Sequence, residues 1–266
     1  MFDSGVGGLT VLHECLVSLP EEDFVYLGDT SMFPYGTRDP DLLRARIRHI
    51  SERLLDDGAK LLVIACNTAT SIGESIAREV AAERGVEVVP VVDPQAEIAA
   101  AISDNGRVGV LATPNTVESG AYRRALEHQG RTLAVTEVEA PDLAPFIQDG
   151  SHFDEQVVEM ARGYCAPLRA AEVDTLILGC THYPLVAPML QRILGRDVRL
   201  VSGGHAVAAA VQRTLESGGL SRRRDSEGEY RFLCTGEVRS FRELGTRFLQ
   251  MPLGEVERVE VDGDYS

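Results

Sequence analysis

Cys66 and Cys180 hold the same place in two ten-residue stretches built to one plan, Leu61–Thr70 (LLVIACNTAT) and Thr175–Pro184 (TLILGCTHYP), 114 positions apart. In each, a short apolar run ends in a small residue, Ala65 or Gly179, followed by the thiol and then small polar residues. A buried strand that stops at a thiol puts the sulfur at its carboxyl end, where open α/β sheets hold ligands. The helix expected to follow each strand should lower the thiol pKa and raise the thiolate fraction. Two such ends suggest two half-sites that face each other, each offering one sulfur. Removing a proton from a stereocentre and returning it on the other face needs two such groups, one thiolate and one thiol. A thiol pKa of about 8.5 lies near the working pH and suits that task. Asp3 and His182 are natural helpers, one for each cysteine.

Other uses of these residues fit less well. Cys180 and His182 are two apart and no CxxC or HxxxH spacing occurs, so no metal site is expected. A Cys–His–Asn hydrolase would need one thiol and leave the second motif without a purpose. Cys15, Cys165 and Cys234 stand outside the matched strand-end plan and read as buried small hydrophobes. The turn Asp3–Gly8 (DSGVGG) would open a helix near Leu9 and offer free N–H groups to an anion. It is neither a dinucleotide fingerprint nor a Walker A loop. Asn67, Thr68 and Thr181 add amide and hydroxyl groups able to bind carboxylate or ammonium.

The elements that must hold these groups alternate along the chain. Strands are expected at Phe24–Gly28, Leu61–Ala65, Val86–Val92, Val108–Ala112, Thr132–Val138, Thr175–Gly179, Val198–Val201 and Tyr230–Cys234. Helix-period stretches lie between them at Leu42–Asp56, Ser71–Arg84, Asn115–Gln129, Asp154–Arg169, Val186–Leu194 and Ala206–Ser217. Such alternation argues for mainly parallel sheets covered on both faces. The matched segments suggest two similar α/β halves. Residues 1–90 with 201–266 would form a discontinuous first domain and 91–200 the second, with the site in the cleft between them. Only Met1 and Phe2 precede the Gly-rich turn, too little for a useful central strand, so an upstream start is expected. The polar stretch Ser217–Gly228, with Arg222, Arg223 and Arg224, reads as a surface loop.

Bulk composition narrows the function class. Basic residues number 26 against 41 acidic, a formal charge of −15, which argues against nucleic-acid binding. No apolar run reaches the roughly 18–20 residues of a membrane span. The first residues show neither a basic n-region nor an apolar h-region, so no secretory signal is expected. Five cysteines without the spacing of a disulfide scaffold read as reduced thiols in a cytoplasm.

Taken together, Phe2–Leu12 (FDSGVGGLTVL), Gly28-Asp29-Thr30, Pro34-Tyr35-Gly36, Val63–Thr70 (VIACNTAT), Val108–Thr113 (VGVLAT), Ser119–Tyr122 (SGAY) and Leu178–Pro184 (LGCTHYP) resemble the glutamate racemases of the aspartate/glutamate racemase superfamily. The matching segments cover nearly the whole chain, in order. The resemblance implies two flavodoxin-like domains, often a homodimer, and cofactor-independent interconversion of L- and D-glutamate for peptidoglycan. It also implies that Cys66, assisted by Asp3, acts on D-glutamate and Cys180, assisted by His182, on L-glutamate. Substrate contacts would come from Asp3, Ser4, Tyr35, Gly36, Asn67, Thr68, Thr181 and His182. The chain departs from the family pattern in three places. Gln148 or Asp149 stands where many relatives carry a glutamate thought to support the second cysteine. Val92-Asp93-Pro94 replaces Val-Glu-Pro, and Val201-Ser202-Gly203-Gly204 replaces Val-Asp-Ser-Ala. The rival readings are a racemase of another amino acid such as aspartate, and a non-catalytic glutamate-binding or gyrase-inhibiting protein.

Overall fold

The computed structural model describes residues 1–150, 154–223 and 226–261. Among the described residues, ten strands form two wholly parallel sheets. The first contains β1 (Phe2–Asp3), β2 (Phe24–Gly28), β3 (Leu61–Ile64), β4 (Glu87–Pro90), β9 (Tyr230–Cys234) and β10 (Val256–Arg258), in the order β10-β9-β2-β1-β3-β4. The second contains β5 (Arg107–Ala112), β6 (Ala134–Glu139), β7 (Thr175–Gly179) and β8 (Arg199–Val201), in the order β6-β5-β7-β8. Helices α1 (Leu9–Ser18), α2 (Pro40–Asp56), α3 (Asn67–Ala82), α4 (Val92–Ile102), α5 (Pro114–Glu118) and α6 (Ala121–Glu127) are followed by α7 (Leu143–Gln148), α8 (Glu155–Ala170), α9 (Ala187–Leu194), α10 (Gly203–Ser217) and α11 (Val238–Leu249). The chain leaves the first sheet through α4 and returns from the second through α10. Parallel strands need both faces covered, and β7 is buried along its whole length.

Several elements differ from the sequence reading for local reasons. β1 is only two residues long, yet it lies inside the first sheet between β2 and β3. Its neighbours supply the bonds: Leu27 N–H donates to Met1 O, Asp29 N–H to Asp3 O, and Ala65 N–H to Phe2 O. Two residues therefore suffice to carry Asp3 to the carboxyl edge. The strand expected to reach Val92 stops at Pro90, and the same apolar run opens α4, which the alternation pattern does not separate. The helix expected over Asn115–Gln129 is two helices. Gly120, at φ +65°, breaks it and caps α6, in a conformation that costs glycine little. α11 and β10 were not expected. α2 begins as its sequence dictates: Asp39 accepts from the Asp41 and Leu42 amides, and Pro40 fills the first turn.

The polar stretch before β9 is pinned at Arg222, which pairs with Asp23 and donates its amide to Glu22. Arg224 and Asp225 of that stretch lie outside the described residues. No helix among the described residues is long and apolar enough to cross a membrane.

Candidate active site

One half of the site is built at the carboxyl edge of the first sheet. β1 ends at Asp3, whose carboxylate accepts from the Gly5 amide at 3.1 Å. The turn that follows is held by the Tyr26 hydroxyl, which donates to Gly5 O at 2.8 Å. β3 runs into Ala65 and then Cys66, which caps α3, its Sγ accepting from the Ala69 amide at 3.4 Å. A third segment, Pro34-Tyr35-Gly36, follows a cis Phe33–Pro34 peptide. The Tyr35 hydroxyl donates to Asp29 Oδ2 at 2.5 Å. Asp29 in turn is gripped by the buried Arg46 guanidinium at 2.7 and 2.9 Å.

The other half stands at the end of β7, where Cys180, Thr181 and His182 lead into a single 3-10 turn at Tyr183–Val186. Cys180 Sγ lies 3.8 Å from His182 Nδ1. On the far side of the ring, His182 Nε2 meets Gln148 Oε1 at 3.0 Å. An amide oxygen only accepts, so Nε2 carries the hydrogen and Nδ1 is left unprotonated toward the thiol. Phe33 and Phe248 flank the ring, with centroids 5.2 and 5.1 Å away. Of the two residues left open by sequence, Gln148 is the one that reaches His182.

The halves meet closely. Thr181 Oγ1 donates to Asp3 Oδ1 at 3.2 Å, and Thr10 Oγ1 donates to Thr181 O at 3.2 Å. Gly7 packs so tightly on this motif that a Cβ there would collide with Thr181 Oγ1 and His182 Nδ1. Between the halves is a cavity of about 20 Å³. Its wall includes Cys66 and Cys180 together with Ser4, Tyr35, Gly36, Asn67, Thr68, Thr181 and His182. Asp3 is not on that wall; it stands behind, close enough for the Cys66 thiol to help hold its carboxylate pKa down.

The sequence profile of the Asp/Glu/hydantoin racemase family matches residues 17–211. The chain belongs to that family. Among its relatives is the glutamate racemase of Mycobacterium tuberculosis, 42% identical over 260 residues that cover 97% of this chain and 94% of the relative. Solved structures agree. A glutamate racemase isoform from Bacillus anthracis superposes with a TM-score of 0.92 at 33% identity, covering 97% of this chain and 96% of its own. The Francisella tularensis glutamate racemase, solved with D-glutamate, gives 0.91 at 30% identity, covering 98% and 96%.

In this racemase the electrostatics of the two sulfurs differ from the sequence expectation. Each sulfur does receive donors at a helix or turn start: the Ser4 and Ala69 amides for Cys66, and the His182 and Tyr183 amides for Cys180. Burial outweighs them. The Cys66 thiol is pushed up to about 12, with the neighbouring Asp3 charge adding to the effect, and the Cys180 thiol is raised as well. Asp3 is also raised by burial, against the pull of the Gly8 and Gly5 amides, the Thr181 hydroxyl and the Cys66 thiol. Both thiols are therefore protonated at neutral pH; Asp3, its basicity raised by burial, stands behind Cys66, and His182 Nδ1 faces Cys180.

Burial lowers His182 from its ordinary 6.5 to about 3. The folded state thus keeps His182 neutral while the unfolded chain protonates it. The stability this contributes is full above pH 6.5 and is lost as pH falls toward 3, at about 1.4 kcal/mol per unit. Thermal melts from pH 7 to 4 should show His182→Gln with a flatter profile than the parent. Parallel profiles would contradict it.

Three site residues went unread in the sequence. Thr113 lines the cavity directly after β5, and the strand-end rule that singled out the cysteines also covers it. Its hydroxyl lies 2.9 Å from that of Thr68 and 3.0 Å from that of Thr116. Asn115 donates to the Tyr35 and Arg38 carbonyls, so the second half holds the first half's loop.

Proposed function

We propose that this protein interconverts L- and D-glutamate by proton transfer at Cα, one cysteine removing a proton and the other returning one, without a cofactor. The observation that carries the reading is the cavity bordered by both Cys66 and Cys180, with Asp3 behind the first sulfur and His182 beside the second. Starting from D-glutamate, the Cys66 thiol passes its proton to Asp3, and the thiolate takes the hydrogen from Cα. The electron pair of that C–H bond stays on carbon. The Cys180 thiol then donates its proton to the other face. The Cys180 thiolate and the protonated Asp3 left behind return to their starting states by exchange with water once the product departs. In the reverse direction His182 takes the Cys180 proton. L-glutamate follows the same course with the roles exchanged. Asp3 suits its part because burial lifts a carboxylate toward thiol basicity and so makes the proton transfer less uphill.

Ser4, Tyr35, Gly36, Asn67, Thr68, Thr181 and His182 would hold the substrate's amino and carboxylate groups, with Asp3 contributing through Thr181 and Cys66. The relatives named above, glutamate racemases of which one was solved with D-glutamate, support glutamate as the substrate; supply of D-glutamate for peptidoglycan is part of the same proposal. All five cysteines are free thiols, which supports a reducing cytoplasm.

The test is proton exchange in D₂O. Either enantiomer should gain deuterium at Cα, and the circular dichroism of a pure enantiomer should decay to zero with no cofactor added. Retention of the starting optical signal under those conditions would sink the reading.

A further inference from the structure

Gln95 belongs to none of the motifs that drew attention to this chain, and it is fully buried on α4, where the chain crosses from one sheet to the other. Its Nε2 lies 3.2 Å from Leu178 O and 3.3 Å from Val201 O. Leu178 is two residues before Cys180 on β7, and Val201 ends β8 just before the chain returns through α10. Its Oε1 lies 2.9 Å from Asn67 Nδ2 and 2.5 Å from the Tyr122 hydroxyl, which itself is 2.6 Å from Asn67 Nδ2. One side chain thus joins the residue after Cys66 to the strand that delivers Cys180.

The polarity of this arrangement is set by the backbone. Two carbonyl oxygens can only accept, so the nitrogen of Gln95 must face them and its oxygen must face Asn67. That oxygen can only accept, so Asn67 must present its nitrogen. Asn67 Nδ2 donates toward both the Gln95 and the Tyr122 oxygens, while the Tyr122 hydroxyl donates to Gln95. All four bonding positions of the Gln95 amide are filled, as a buried amide requires. What remains of the Asn67 amide for a ligand is Oδ1, an acceptor, and Asn67 borders the cavity.

We propose that Gln95 is a positioning residue of this site: it locks the Asn67 amide with only its oxygen free, making that wall a receptor for the substrate's α-ammonium and not for a carboxylate. The inference rests on the functional reading above and deepens it, because Asn67 by its type alone could bind either group. It also makes recognition of the ammonium depend on the crossing between the halves, since the anchor carbonyls belong to the second sheet.

The test compares ligands that differ only in the ammonium. Gln95→Met keeps the length and volume of the side chain but frees the Asn67 amide to turn. D-Glutamate binding by calorimetry and the racemisation KM should weaken by about tenfold or more, the scale of a hydrogen bond to a charged group. Glutarate, which lacks the ammonium, should bind within twofold of the parent. Tyr122→Phe leaves the Gln95 bonds to Leu178 and Val201 intact and removes one partner of Asn67. It should shift the glutamate-to-glutarate ratio in the same direction by a smaller factor, and it carries the test if Gln95→Met does not fold. Equal losses for both ligands, or no change for either, would overturn the proposal. Turnover by the parent is scored separately by circular dichroism. An inactive parent therefore refutes the functional reading, whereas an active parent with an unchanged ligand ratio refutes only the role of Gln95.

Discussion

Replacing Cys66 or Cys180 by alanine should cut racemisation by about 10²–10⁴-fold, the usual contribution of a positioned acid or base. Both sulfurs border the same cavity, and neither has a spare neighbour of similar acidity on the wall, where serine and threonine hydroxyls are much weaker acids. Each single variant keeps one working side. Cys180→Ala should still exchange the Cα hydrogen of D-glutamate with solvent through Cys66, and Cys66→Ala that of L-glutamate through Cys180, with little product of inverted configuration in either case. Mass spectrometry of deuterium uptake, read separately for each enantiomer, measures this. Undiminished racemisation by both variants would remove the two-thiol account.

Arg46→Met should cost about 3–5 kcal/mol of stability, because it leaves the Asp29 carboxylate buried without its counter-charge. The Arg46 and Asp29 side chains are 1% and 0% exposed. Arg46 Nη1 also donates to Val261 O at 2.6 Å, and Asp29 accepts from Thr235 Oγ1 at 2.7 Å and from Tyr35. The network therefore ties the end of the described chain to the loop that brings Tyr35 and Gly36 to the cavity. For a protein of this size the loss corresponds to a fall in melting temperature of roughly 10 °C. Adding Asp29→Leu should restore much of it, since the orphaned charge is then gone. A drop of similar size in the double variant would show that the cost lies in packing instead.

How far the site can be read from residues alone varies with how local each signal is. The strand ends carrying Cys66 and Cys180 are legible because an apolar run, a small residue, a thiol and polar residues follow one another within ten positions. Asp3 is legible for the same reason, though the strand that carries it is not: two residues give no period, and β1 exists because β2 and β3 supply its partners. Gln148 is half legible. A sequence can place an amide near the end of α7, but only folding brings its oxygen to a histidine 34 positions later. Gln95 is invisible, a polar residue between Asp93 and Glu97 on α4 with no motif around it. Its significance arises from carbonyl groups on β7 and β8 that no nearby residue announces. The thiol acidities also escape local reading, because helix-start donors are visible in the pattern and the depth of burial is not.

The narrowness of the space between the sulfurs has a price in time. Twenty cubic ångströms admit a single water and no amino acid, so the walls must move apart before a reactant arrives and again before it departs. The dry enclosure that shields a carbanion from stray protons is then also a door. In the proposed cycle that opening is a step of every turnover, alongside proton transfer at sulfur.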